Sequence, residues 1–209
     1  MRVYRAVNLN VLWFLIAANV LIFIIQLTTG GGNAADSPLI SFLGLTPALL
    51  LQQPWTIITS MFVHGGLTHI LFNMIGLFFL GSFLIRAVGE GSFQAVFFLG
   101  GLLGNVLYFV FGYLVLHGII APFLGHPFIP GVGASGGIYA LGGALAVMVP
   151  RVPVIVFPIP APIPLWAAIL IFLFFSFLPG IAWQAHIGGL ALGLIAGLIL
   201  KKRRRVYYF

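Results

Sequence analysis

The sequence has 209 residues, 62% of them hydrophobic and 5% charged, with a net charge of +7. A soluble domain carries about 25% charged residues, so the composition excludes a soluble particle and implies an all-α polytopic membrane protein, one domain over residues 1–209 with no soluble domain attached. The absence of cysteine excludes disulfides and thiolate metal sites. The few cations sit at segment ends, so the positive charge is topology information and not a nucleic-acid signal.

Six apolar segments are predicted, at roughly 9–28, 61–85, 92–116, 134–150, 163–178 and 184–200. Each approaches the ~20 residues that cross a bilayer core. The first follows Met1-Arg2-Val3-Tyr4-Arg5 and exceeds the ~7–15 apolar residues of a signal-peptide core, so it reads as a retained helix. Residues 29–60 form a long loop whose apolar piece, Leu39 to Leu51, is too short to span and is expected in the interface, with Trp55 as an anchor. Pro153, Pro158, Pro160, Pro162 and Pro164 prevent a regular helix and predict an extended connection.

The basic residues then fix an orientation. Arg2, Arg5, Arg86, Arg151, Lys201, Lys202, Arg203, Arg204 and Arg205 all fall on one side if there are six crossings. The positive-inside rule makes that side cytoplasmic and puts both termini there.

Side chains that hydrogen-bond or ionise inside a span are functional suspects. The notable ones are His64, His69, Asn73, Asn105, Ser135, Tyr139 and His186. Ser135 lies 16 positions before Arg151, His186 lies 15 before Lys201, and His69 and Asn73 lie 17 and 13 before Arg86. At ~1.5 Å per residue, all stand about 20–26 Å above their basic residue, at one level in three helices. His69 and Asn73 share a helix face, and Ser135 shares one with Tyr139, Gly142 and Ala146. His186 heads a face with Gly189, Gly193 and Gly197, whose four-residue spacing lets another backbone approach closely. With Gly136, Gly137, Gly142 and Gly143 opposite, a tight contact of the fourth and sixth segments is expected to bring His186 to Ser135.

In the stretch GVGASGGIYA, residues 131–140, Ser135 reads as a helix cap, a packing residue or a nucleophile. A serine nucleophile needs an adjacent base, usually histidine. The only acids are Asp36, in the first loop, and Glu90, at the far side, so a hydrolase here would use a dyad, with Tyr139 packing against the imidazole. His69, Asn73 and the Ser135 N–H are available as oxyanion donors. The chain lacks His-Glu-x-x-His and has no acid within a span, which eliminates zinc and aspartic intramembrane proteases. A three-histidine metal site from His64, His69 and His186 remains as an alternative, disfavoured by the missing carboxylate and cysteine ligands.

Gly133-Ala134-Ser135-Gly136 with Tyr139 resembles the GxSG motif of the rhomboid intramembrane serine proteases. His64-x4-His69-x3-Asn73 and Ala185-His186-Ile187-Gly188-Gly189 resemble two further motifs of that family, and the likeness covers nearly the whole chain. The resemblance implies a six-helix bundle, Ser135 as nucleophile, His186 as base, an oxyanion hole at His69 and Asn73, and a structural His64, with Gly133, Gly136 and Gly189 in support. It implies no cofactor, no metal, and transmembrane protein substrates taken from the lipid of the cell membrane. By the same likeness Pro179 to Gln184 would cap the site, and a gate would include Phe174, Phe175 and Phe177. The chain departs from the family at Trp55-Thr56, where Trp-Arg is common, and at Gly81 to Arg86, where an acid is common. An inactive client-binding relative and a channel are the competing readings.

Overall fold

A computed structural model describes residues 7–156 and 158–202. Arg2, Arg5 and Arg203 to Arg205 lie outside the described residues. Six apolar helices match the six segments: α1 (Asn10–Thr29), α4 (Leu67–Val88), α5 (Glu90–Leu116), α6 (Ser135–Met148), α7 (Leu165–Phe175) and α8 (Trp183–Leu200). Two short helices, α2 (Pro38–Leu43) and α3 (Thr56–Thr59), lie in the first loop. The chain is an apolar helical membrane protein: α1, α4, α5 and α8 are long and apolar enough to cross a bilayer. At 14 and 11 residues, α6 and α7 are shorter than a full span.

The boundaries differ from expectation for local reasons. The second helix starts at Leu67, not 61, because Val63 is extended and Gly65-Gly66 breaks the chain direction. His64 therefore sits in a loop before α4 and not on it. Helix α6 stops at Met148 before Pro150, and α7 starts only after Pro164. Between them, β1 (Pro153–Val154) pairs antiparallel with β2 (Ile163–Pro164), so the proline-rich connection is extended as expected. The first loop is more structured than an apolar stretch lying in an interface. The Trp55 indole donates to Phe42 O at 2.7 Å and Thr59 Oγ1 donates to Leu43 O at 2.8 Å, which fold α2 and α3 together.

Helices α5, α6 and α8 form the centre of the bundle, and small residues let their backbones meet. A Cβ at Gly189 would overlap the carbonyl oxygen of Gly136, and one at Gly193 that of Ala140. One at Gly104 would lie 2.5 Å from Ala185 O, and one at Gly100 would overlap Ala140 Cβ. The expected contact of the fourth and sixth segments is thus present, with its glycines sorted differently. Gly142 faces Ile169 of α7, Gly137 faces Phe97 of α5, and Ala140 takes the central place against α8. Towards the end bearing Arg86, Arg151 and Lys201, larger side chains fill the core: Leu12, Leu84, Phe93, Leu145 and Met148 are all buried. Glu90 lies at this end, its carboxylate accepting the Val11 N–H at 3.1 Å beside the start of α1. The outward faces carry exposed Phe14, Leu21, Phe72, Phe79 and Leu198, as lipid-facing helices do.

Gly193→Val should therefore push α8 off α6. Overpacking a closed contact costs about 1–3 kcal/mol, so its melting temperature in lipid nanodiscs should fall by several degrees. Gly91→Ala, where an added Cβ meets nothing within 4 Å, should melt at or above the wild-type temperature. Equal melting of the two variants would contradict the packing.

Candidate active site

Ser135 is the first residue of α6 and half-buried. The loop before it is pinned from three sides. Leu45 and Gly131 exchange backbone hydrogen bonds at 2.9 and 2.8 Å. Tyr108 of α5 donates its hydroxyl hydrogen to Ile129 O at 2.9 Å, and the Gly133 N–H donates to Ser60 O at 2.8 Å. Asn105 of α5 in turn donates to Ile57 O and Ser60 Oγ, so this polar residue serves to fix the loop that fixes Gly133.

Ala134 holds the N-cap position of α6 without a side-chain cap hydrogen bond, which leaves the Ser135 side chain one residue inside the helix. Ser135 Oγ lies 2.8 Å from Nε2 of His186, in the first turn of α8. The contact expected between the two helices is present, and the cap reading of Ser135 is not. The Tyr139 ring stacks on the imidazole, with centroids 4.3 Å apart and planes at 23°. His186 is 8% exposed, and both of its ring nitrogens are engaged by hydroxyls. It therefore has no free nitrogen for the three-histidine metal alternative, and among the described residues no group of three His, Asp or Glu is arranged to hold an ion.

The second partner of His186 was not anticipated. Ser176, directly after α7, places its Oγ 2.8 Å from His186 Nδ1 and 2.8 Å from the Tyr139 hydroxyl. It is 2% exposed. A lone serine in the apolar run from Leu165 to Leu178 was the available signal.

His69 and Asn73 lie one turn apart on α4. The Gly65 N–H donates to His69 Nδ1 at 3.3 Å, so a neutral ring carries its hydrogen on Nε2 and that nitrogen is a donor. His69 Nε2 borders Gly133, where an added Cβ would come within 2.7 Å of it and 3.8 Å of Ser135 Oγ. Gly133 also has φ +114°, so both the conformation and the close approach call for glycine. Asn73 is buried and spends one amide hydrogen on His69 O at 2.8 Å, within its own helix. At the head of α6, the Ser135 N–H has no backbone acceptor among the described residues.

His64 is fully buried. Its backbone exchanges two hydrogen bonds with the Gln26 side chain of α1, at 2.9 and 3.0 Å, and its ring meets His69 edge-on with centroids 5.1 Å apart. It supports His69 from behind. Gln26 is a second polar residue that sequence reasoning passed over. In the region expected to cap the site, Trp183 and Gln184 belong to α8, and the Gln184 amide donates to Leu124 O at 2.8 Å. Phe174, Phe175 and Phe177 are exposed on the outer surface.

The Rhomboid domain family model matches residues 51–203. The chain is 29% identical to the rhomboid protease GluP of Bacillus subtilis over 64% of its own length and 23% of that protein's. It is 33% identical to the mitochondrial RHOMBOID-like protein 12 of Arabidopsis thaliana, over 71% of this chain and 47% of the relative. Rhomboid protein 1 of Saccharomyces cerevisiae, also mitochondrial, is 25% identical over 74% and 45%. The chain spans less than half the length of these relatives. Because the match runs through α4 to α8 and so includes every helix that contributes to the Ser135–His186 site, this chain belongs to the rhomboid family.

Proposed function

We propose that this chain is an intramembrane serine endopeptidase, a single protease domain that hydrolyses peptide bonds in or near transmembrane segments of other membrane proteins. The observation that carries the reading is the 2.8 Å contact of Ser135 Oγ with His186 Nε2. A hydroxyl and an imidazole at that distance have the geometry for general-base activation of a nucleophile.

In the proposed reaction, Ser135 Oγ bonds to the peptide carbonyl carbon as its proton passes to His186 Nε2. The developing oxyanion takes hydrogen bonds from His69 Nε2–H, the Ser135 N–H and the remaining amide hydrogen of Asn73. The C–N bond then breaks, and the departing amine takes the proton from His186. Water adds to the acyl carbon and gives a proton to Nε2, which returns it to Ser135 as the C–Oγ bond breaks. Residues of this chain supply every group in the cycle, and we propose no metal and no cofactor.

The proposed location is the cell membrane. Six crossings would place Arg86, Arg151, Lys201 and Lys202 on the cytoplasmic side with both termini. The site would then open towards the outer side, where substrate and water enter.

A fluorophosphonate probe should label Ser135, and Ser135→Ala or His186→Ala should abolish both labelling and cleavage of a transmembrane peptide. A client-binding or channel protein would stay unlabelled. Cleavage by Ser135→Ala at the wild-type rate would refute the reading.

His69→Ala should lower kcat by about 10²-fold, the weight of one oxyanion donor, with little change in KM. The rate should also fall as pH is lowered, because a protonated imidazole has no lone pair at Nε2 to accept the Ser135 proton. A rate that rises as pH is lowered would contradict a histidine base.

A further inference from the structure

We infer that Ser176 is a positioning residue that sets the tautomer of His186, so that the pair Ser135–His186 is completed by a neutral hydroxyl. The inference deepens the protease reading and rests on it for its kinetic consequence. Ser176 Oγ has three neighbours: Phe172 O at 3.1 Å, the Tyr139 hydroxyl at 2.8 Å and His186 Nδ1 at 2.8 Å. A hydroxyl offers one hydrogen and two acceptor lone pairs.

One assignment satisfies all three contacts. The Phe172 carbonyl can only accept, so it takes the Ser176 hydrogen. Tyr139 and His186 Nδ1 must then both donate to Ser176 Oγ. With its hydrogen on Nδ1, neutral His186 has a bare Nε2, which accepts the Ser135 hydroxyl hydrogen across 2.8 Å. Four hydrogen bonds thus become mutually consistent, and they leave the ring in the form a general base requires.

The opposite tautomer breaks the set. With its hydrogen on Nε2, His186 would donate to Ser135, and Nδ1 would have to draw the only hydrogen of Ser176 away from Phe172. One contact is lost and the nucleophile faces a donor. The Tyr139 ring, stacked on the imidazole, keeps the ring plane aligned with both serines. Ser176 is buried, so water does not compete for these bonds.

Two measurements test this. In wild-type protein carrying ¹⁵N-histidine in lipid bilayers, His186, assigned by difference from His186→Ala, should show hydrogen on Nδ1 and none on Nε2. In Ser176→Ala this preference should be lost. A wild-type ring protonated on Nε2 overturns the inference whatever the activity. In the kinetic arm, Ser176→Ala should lower kcat about tenfold or more against a transmembrane peptide, with KM unchanged, and Ser176→Thr should recover most of the loss. An alanine variant within twofold of wild type overturns the inference, as does a folded threonine variant as slow as the alanine one. Failure of the wild-type protein to react with fluorophosphonate would sink the protease reading instead, and the ¹⁵N spectrum would still report the tautomer.

Discussion

The site depends on how closely three helix backbones approach one another. Lipid tails are as apolar as leucine side chains, so burial of apolar surface does not by itself hold helices together in a bilayer. Van der Waals contact and interhelical hydrogen bonds must do so. Gly136 and Ala140 on α6, Gly189 and Gly193 on α8, and Gly100 and Gly104 on α5 remove the side chains that would keep these helices apart. Ser135 and His186 sit at the end of that contact, one at the head of each helix. Their 2.8 Å separation is a consequence of the packing beneath them.

The loops beside the site raise a second problem. Irregular backbone at membrane depth must satisfy its polar groups within the protein. The loops around Ser135 do this with side chains drawn from neighbouring helices. Gln26 of α1 mimics a strand neighbour for His64, Asn105 of α5 holds Ile57 and Ser60, and Gln184 of α8 holds Leu124. Three amides in different helices thus fasten three loop segments. The same scaffold holds Gly133 against His69, the place where an oxyanion would lie in the proposed reaction.

The sequence made the helices legible because a bilayer imposes a length and a polarity that can be counted. It also made the Ser135–His186 level legible, since the basic residues after α6 and α8 serve as rulers. Local breakers were harder to weigh. Gly65-Gly66 shortened the second segment and moved His64 off its helix, although apolar residues continue on both sides of the break. Long-range pairing was not legible at all: nothing near Gly131 announces Leu45 as its partner. Ser176 was missed for a different reason. The third member of a serine hydrolase site is ordinarily a carboxylate, and a serine late in an apolar helix ordinarily bonds to its own preceding turn. Ser176 does so, to Phe172, while also serving His186.

A hydroxyl in that place follows from the medium. A carboxylate partner orients the base in many serine hydrolases and stabilises the imidazolium that forms. At position 176 it would be buried, and the described cations Arg86, Arg151, Lys201 and Lys202 stand at the other end of the bundle. An acid at membrane depth costs at least about 2.5–3.5 kcal/mol, and here it would have no counterion until the imidazole took up a proton. The neutral alternative divides the task. Ser176 Oγ accepts from Nδ1, which orients the ring, and the face of Tyr139, 4.3 Å from the imidazole, offers cation–π attraction when the ring becomes charged. Each contribution is weaker than a carboxylate's, and neither requires a buried charge in the resting protein. On this argument the two acids of the chain are absent from the site for the same reason that Ser176 is present in it.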